Sequence, residues 1–177
     1  MTAKKALYLA GGGARGAYQA GVLKAIGHIL QVKHLPFEMV SGVSVGSINA
    51  VVLAENADDF PTALDKLEII WSEIHCQQIY KASNYELSKS VMRNVSTLIM
   101  KQRETGHLLD TSPLKELIDD SIDFTKISKN VSSGYLETLE ILANCYESNH
   151  TVSFYDHNGI TFTDWNYPRH SSQRTTI

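Results

Sequence analysis

Gly42-Val43-Ser44-Val45-Gly46 places a serine between glycines two residues to either side, the G-x-S-x-G pattern. The pattern carries chemistry only at a sharp turn from a strand into a helix. In that setting the glycines remove side chains that would collide, the serine hydroxyl is left exposed, and the amide end of the helix points toward it. The flanking residues predict this setting: Phe37 to Val43 reads as a strand, and Gly46-Ser47-Ile48-Asn49-Ala50-Val51-Val52-Leu53-Ala54 as the helix that follows. Ser44 is therefore the candidate nucleophile, with Gly42 and Gly46 shaping its elbow.

A second glycine cluster lies upstream, Gly11-Gly12-Gly13-Ala14-Arg15-Gly16. Backbone without side chains at the start of a helix turns several N–H groups toward one point and so forms an anion site. Two anions compete for it. One is the oxyanion of an ester under attack; the other is the pyrophosphate of a dinucleotide, because Gly11, Gly13 and Gly16 also fit G-x-G-x-x-G. A dinucleotide unit needs an acidic residue at the end of its second strand. Here Glu38 stands near the beginning of that strand, which ends in Val43-Ser44. Moreover, two glycine turns at the same edge of a parallel sheet would bring the loop amides beside the serine hydroxyl, as acyl transfer requires. The oxyanion is the favoured reading, and no cofactor is expected. Arg15 reads either as a lipid-phosphate contact or as a helix-start cation paired with a carboxylate. Gly16 reads either as part of the anion site or as a packing position.

The elements that must hold these residues follow from periodicity. Ala6-Leu7-Tyr8-Leu9-Ala10 is an apolar run that stops at glycine, the pattern of a buried strand. From Ala14 to Gln31 apolar residues recur at helical spacing through Ala17, Ala20, Leu23 and Ile26 to Leu30. Two βα units in succession predict an α/β fold with a mainly parallel sheet flanked by helices. Asp58-Asp59 before Phe60-Pro61 predicts a helix start, with Leu64, Leu67, Ile70, Trp71 and Ile74 on its buried face. Val91 to Ile99 forms a further apolar stripe, and Asp110-Thr111-Ser112-Pro113 opens a short helix through Ile118. Beyond Asp123 the period changes to two, so that Leu139, Ile141 and Ala143, then Val152, Phe154 and Tyr155, predict two strands. With no repeat, linker or compositional break, residues 1–177 read as a single domain.

Composition removes several function classes. Hydrophobic residues are 43% and charged residues 20% of the 177, the balance of a chain that buries a core. The formal net charge of -3, with no basic stripe, argues against nucleic acid as a partner. Cys76 and Cys145 stand apart without C-x-x-C spacing, so neither a metal site nor a disulfide framework is expected. Lys4-Lys5 precedes too short an apolar stretch for a signal-peptide core, which points to a cytoplasmic start. No run approaches the roughly 20 residues needed to span a bilayer, so membrane contact would be peripheral. The N-x-S/T sequons at Asn94, Asn130 and Asn149 then read as chance occurrences.

Gly11 to Gly16 followed by Gly42 to Gly46 resembles the paired signature of patatin-like phospholipases, carried strongly from Lys5 to Ala54. Ile122-Asp123-Phe124 and the strands near Leu139 and Val152 are similar more loosely. The resemblance implies a three-layer α/β/α fold and a lipid acyl hydrolase acting on a lipid or ester substrate. It also implies an oxyanion hole at Gly11, Gly12 and Gly13, and Ser44 paired with an aspartate in a D-G-G or D-G-A turn. None of the aspartates from Asp58 to Asp164 is followed by glycine. By this resemblance the chain is the N-terminal portion of such a domain, ending before that turn, and little turnover is expected from these residues alone. Two alternatives stay open: an inactive domain that binds lipid or a protein partner, and a triad built from His150, His157 or His170 with Asp156 or Asp164.

Overall fold

The two apolar runs that stop at glycine fold as successive βα units. The structure, a computed structural model, describes residues 3–73, 122–145, 150–157 and 173–176. The expected stripe from Val91 to Ile99 and the short helix through Ile118 lie outside these residues, as do Asp164 and His170. Strand β1 (Ala6–Leu9) leads through the glycine loop into α1 (Arg15–Leu30), and β2 (Met39–Val43) leads through Ser44 into α2 (Val45–Glu55). Helix α3 (Phe60–Glu73) follows, then α4 (Phe124–Ser132), β3 (Thr138–Cys145), β4 (His150–His157) and β5 (Gln173–Thr176). The strands lie in the order β1-β2-β3-β4-β5. β1 with β2, β2 with β3 and β4 with β5 pair parallel, and only β3 with β4 pairs antiparallel, so the sheet is mainly parallel as expected. The sheet and its helices build one compact unit, within Met1–Ser72 and Ile122–Ile177.

Helix α2 is the centre of this unit. Every residue from Asn49 to Glu55 is buried, because the helix lies against the sheet on one side and between α1 and α4 on the others. Leu9, Val40 and Leu139 from the strands meet Leu23, Val52, Leu53, Phe60, Leu67 and Ile127 from the helices in the core. Glu55 and Asn130 are buried at the C-terminal end of α2, so the polar groups there need partners from the protein. Asn130 Nδ2 donates to Ala54 O at 3.0 Å and Glu55 O at 2.9 Å. The sequon at Asn130 thus falls on an amide consumed inside the core. Glu55 accepts from Lys66 Nζ at 2.5 Å through one carboxylate oxygen and from the Asp123 N–H at 3.0 Å through the other.

Two elements differ from the periodicity. Phe124 to Ser132, expected within a period-two region, is helical because Asp123 caps it, accepting from Thr125 N at 3.0 Å, and because Ile127 and Val131 bury one face four residues apart. Gln173 to Thr176 lies in a stretch whose polar sequence predicts no element, yet it pairs with β4. Backbone hydrogen bonding makes this strand without any apolar alternation to announce it.

Lys66→Met leaves Glu55, with a side chain only 4% exposed, without its cation. Urea unfolding should then show a loss of about 3 kcal/mol, and a loss below about 0.5 kcal/mol would mean that the pair behaves like a solvated surface contact. The Thr125 hydroxyl and amide hold the Asp123 carboxyl below its ordinary range. Because the folded value is depressed, the stabilisation is complete above the ordinary aspartate range, near about pH 4, and is lost as pH falls through the folded value. Asp123→Asn keeps a capping acceptor that does not titrate. Its Tm should therefore lie below that of the parent at neutral pH and converge with it in acid; a gap constant with pH would contradict the assignment.

Candidate active site

Ser44 connects β2 to α2 with φ 56° and ψ -127°, a backbone conformation that non-glycine residues rarely adopt. Holding it costs on the order of 1–3 kcal/mol, which the surroundings must offset. The Ser44 carbonyl accepts from Ser47 N–H at 2.9 Å and so opens α2, while the side chain makes no capping bond. The residue is exposed. The turn therefore carries the hydroxyl outward, over the N-terminal end of a helix whose partial positive charge favours negative charge beside it.

The flanking glycines answer to two different contacts. A Cβ on Gly42 would lie 2.5 Å from Gly46 O, inside the elbow itself. A Cβ on Gly46 would lie 2.0 Å from Leu9 O and 2.6 Å from Leu9 C, against the end of β1. The first turn of α2 is therefore pressed onto the strand from which the glycine loop departs. Parallel pairing, with Leu9 opposite Gly42, puts both turns at the same sheet edge. The loop lies directly on the serine: a Cβ on Gly11 would be 3.2 Å from Ser44 Cβ and 3.9 Å from Ser44 Oγ.

Within the loop, Arg15 N–H donates to Gly12 O at 3.2 Å and Gly16 N–H to Gly13 O at 3.0 Å. The N–H groups of Gly12 and Gly13 are not donors in these bonds. Gly13 has φ 57°, the left-handed conformation that glycine adopts without strain, and Ala14 gives α1 no side-chain cap. Gly16 has a packing role, since a Cβ there would lie 2.2 Å from Trp71 Cζ2 and 2.6 Å from Val45 Cγ2. Arg15 is exposed, its stem covers Gly12, and no carboxylate among the described residues pairs with it.

The antiparallel register divides the triad candidates: His150, opposite Cys145, lies toward the sheet edge where β2 delivers Ser44, whereas Asp156 and His157 lie toward the other. Because β4 runs antiparallel, Asp156 and His157 pair with Leu139 and Thr138, whereas Leu142 pairs with Val43 beside the elbow. That register puts Asp156 roughly 10 Å down the sheet and two strands across from Ser44. Its carboxylate accepts from Ser128 Oγ at 2.9 Å instead. A triad from Asp156 and His157 does not form in this arrangement. Glu38 accepts from Lys5 N–H at 2.7 Å at the start of β1, the opposite end from the glycine loop, so it stands away from any ligand there. That backbone bond holds its carboxyl below the ordinary range. Among the described residues no three His, Cys, Asp or Glu side chains group as metal ligands. A groove of about 690 Å³ bounded by Lys24, His28, Lys33, Phe60 and Leu64 lies toward the C-terminal end of α1, remote from Ser44.

The sequence did not single out Gln19 or Asn49 for the site, and Trp71 read only as packing. All three join beneath the elbow in a hydrogen-bonded chain. A polar residue inside the apolar run of α2 was the available signal for Asn49.

The contacts at Gly46 and Gly13 predict different outcomes for the same substitution. Gly46→Ala drives a methyl into the Leu9 carbonyl and should destabilise by about 3 kcal/mol or prevent folding. Gly13→Ala meets no atom within 4 Å and should cost about 1 kcal/mol from its left-handed backbone alone. Equal losses in chemical denaturation would refute the close approach of α2 to β1.

Comparison with known proteins gives a consistent result. A family model described as Patatin-like phospholipase matches residues 7–176. A stretch of 55 residues, 31% of this chain, is 42% identical to lysophospholipase nte1 of Aspergillus terreus and spans 3% of that protein. No solved structure matches.

Proposed function

The chain belongs to the patatin-like phospholipase family, and from that premise we propose that it cleaves carboxylic esters of lipids with Ser44 as nucleophile. The observation that carries this reading is the close approach of the two glycine turns: a Cβ on Gly11 would lie 3.2 Å from Ser44 Cβ, so the glycine loop borders an exposed serine. In the proposed reaction Ser44 Oγ attacks the ester carbonyl as its proton passes to a base. The carbonyl oxygen becomes an oxyanion, and N–H groups of Gly11, Gly12 and Gly13 receive it; one such donor contributes roughly 2.7 to 4 kcal/mol in comparable sites. Collapse expels the alcohol, which takes up a proton and leaves an acyl-Ser44 ester. Water then attacks that ester, releasing the fatty acid and restoring the hydroxyl. Arg15, exposed at the loop with no carboxylate partner among the described residues, suits the phosphate of a phospholipid.

The relative bears the name lysophospholipase, so single-chain glycerophospholipids are the first substrates to try. No helix among the described residues is long and apolar enough to cross a membrane, and we propose that the protein approaches lipid peripherally. A second reading, lipid binding without turnover, draws on a specific observation: Asp156, the triad carboxylate that the structure describes, lies two strands across from Ser44 and accepts from Ser128. A serine without a base is a weak nucleophile, and loss of a dyad or triad partner lowers rates on the order of 10⁴-fold.

A fluorophosphonate probe reacts with an activated serine and separates the two readings. The first reading predicts covalent labelling, and release of fatty acid from a lysophospholipid, wherever a carboxylate base completes the site, with both abolished by Ser44→Ala. Hydrolysis that persists in Ser44→Ala would overturn the assignment, and lipid binding without labelling would favour the second reading.

A further inference from the structure

Three hydrogen bonds beneath the elbow tie both ends of the glycine loop to one side chain on the helix that follows Ser44, and a fourth anchors that side chain to Trp71. Asn49, on α2, has no solvent exposure. Its Nδ2 donates to Gly16 O at 3.1 Å and to Gln19 Oε1 at 3.0 Å, and its Oδ1 accepts from Trp71 Nε1 at 2.8 Å. Gln19, on α1, extends the chain, its Nε2 donating to Ala10 O at 2.7 Å. Ala10 immediately precedes the loop and Gly16 closes it. The carbonyls at both ends are thus occupied by a relay rooted in Asn49.

The direction of these bonds has a chemical consequence. A trans peptide is planar, so its C=O and N–H point opposite ways. When Gln19 holds the Ala10 carbonyl, it fixes the direction of the N–H of the same peptide, which belongs to Gly11. At the other end Asn49 holds the Gly16 carbonyl, and the Trp71 ring fills the space where a Gly16 Cβ would stand, so that peptide is gripped from two sides. Both Asn49 donors and one of its acceptor sites are in use, and these bonds leave α2 for α1 or α3. A buried amide that served only its own helix would bond within it.

We propose that Asn49, acting through Gln19, is a positioning residue that sets the oxyanion loop against Ser44. This rests on the reading of Ser44 as nucleophile and of the loop as its oxyanion hole. Neither side chain need touch substrate. Their part is to keep the Gly11 N–H aimed at the developing charge, because a misplacement of about 1 Å in such a site can lower the rate on the order of 10²-fold.

The test uses the full chain and two independent readouts. Asn49→Asp removes both donors but places a carboxylate in the core and can unfold the protein, so Gln19→Met and Gln19→Glu carry the decision. Hydrogen exchange followed by mass spectrometry over residues 10–17 requires no activity. Gln19→Met, with its Tm near that of the parent, should exchange there about tenfold faster, the equivalent of one lost hydrogen bond. Gln19→Glu should behave likewise at neutral pH and return to the parent rate in acid, where a protonated carboxyl can again donate to Ala10 O. Fluorophosphonate labelling should fall by about tenfold to 10²-fold in the covalent step, with reversible affinity for the probe unchanged. Unchanged exchange in folded Gln19→Met, a Gln19→Glu effect that ignores pH, or a loss confined to reversible affinity would each overturn the proposal. If the parent protein does not label, the reading of the chain as an active hydrolase fails by itself, while the exchange measurement still decides whether the relay holds the loop.

Discussion

The arrangement depends on one close approach of backbone to backbone: the first turn of α2 against the last residues of β1. A methyl group on Gly46 would lie 2.0 Å from the Leu9 carbonyl oxygen, so the contact exists only because residue 46 has no side chain. Parallel pairing of β1 and β2 brings the two strand ends level, but it does not determine how tightly the second helix sits on the first strand. Gly46 does. Its consequence is that Ser44, two residues before, comes to rest against Gly11, two residues after Leu9.

Polar groups then lock α2 at both ends while apolar groups fill its middle. Toward the N-terminus Asn49 reaches α1 and α3; at the C-terminus the Glu55 carboxylate and the Ala54 and Glu55 carbonyls reach Lys66, the Asp123 amide and Asn130. Between them Ala50 to Ala54 bury against the sheet and neighbouring helices. Hydrophobic burial is non-directional and would accept a small rotation or slide of the helix. The hydrogen bonds would not, because each displaced group would be left buried and unpaired. Apolar contacts hold α2 in place, and the polar contacts choose the position.

This division explains what could be read from the sequence. Both βα units, the start of α3 at Phe60, and the strands around Leu139 and Val152 follow from apolar spacing and turn residues, which are local properties. The patatin-like signature is similarly local. Helix α4 is poorly marked because its nine residues bury only Ile127, Asn130 and Val131, and β5 is unmarked because its formation rests on pairing with β4. In the candidate site, Ser44 and the loop glycines were legible since each falls in a short contiguous pattern, G-x-S-x-G or a glycine run. Gln19 and Trp71 were not, since their hydrogen bonds join residues 9 and 22 positions apart. The remoteness of Asp156 was equally hidden, for it follows from the antiparallel sense of β4.

The helix starts add a final physical contrast. Helix α3 has Asp59 accepting from Thr62 N–H at 3.3 Å, and α4 has Asp123 accepting from Thr125 N–H. Helices α1 and α2, whose N-termini converge beside Ser44, have no side-chain cap although Ser44 itself is of a type well suited to capping. A missing cap costs about 1 kcal/mol, and Ser44 adds the strain of its positive φ. The chain thus carries local instability at the two helix starts that meet, and relieves it at the two that do not. The Ser44 side chain makes no capping bond to α2, and the proposed acyl transfer needs that, because a hydroxyl turned back onto the helix start would not face the ester.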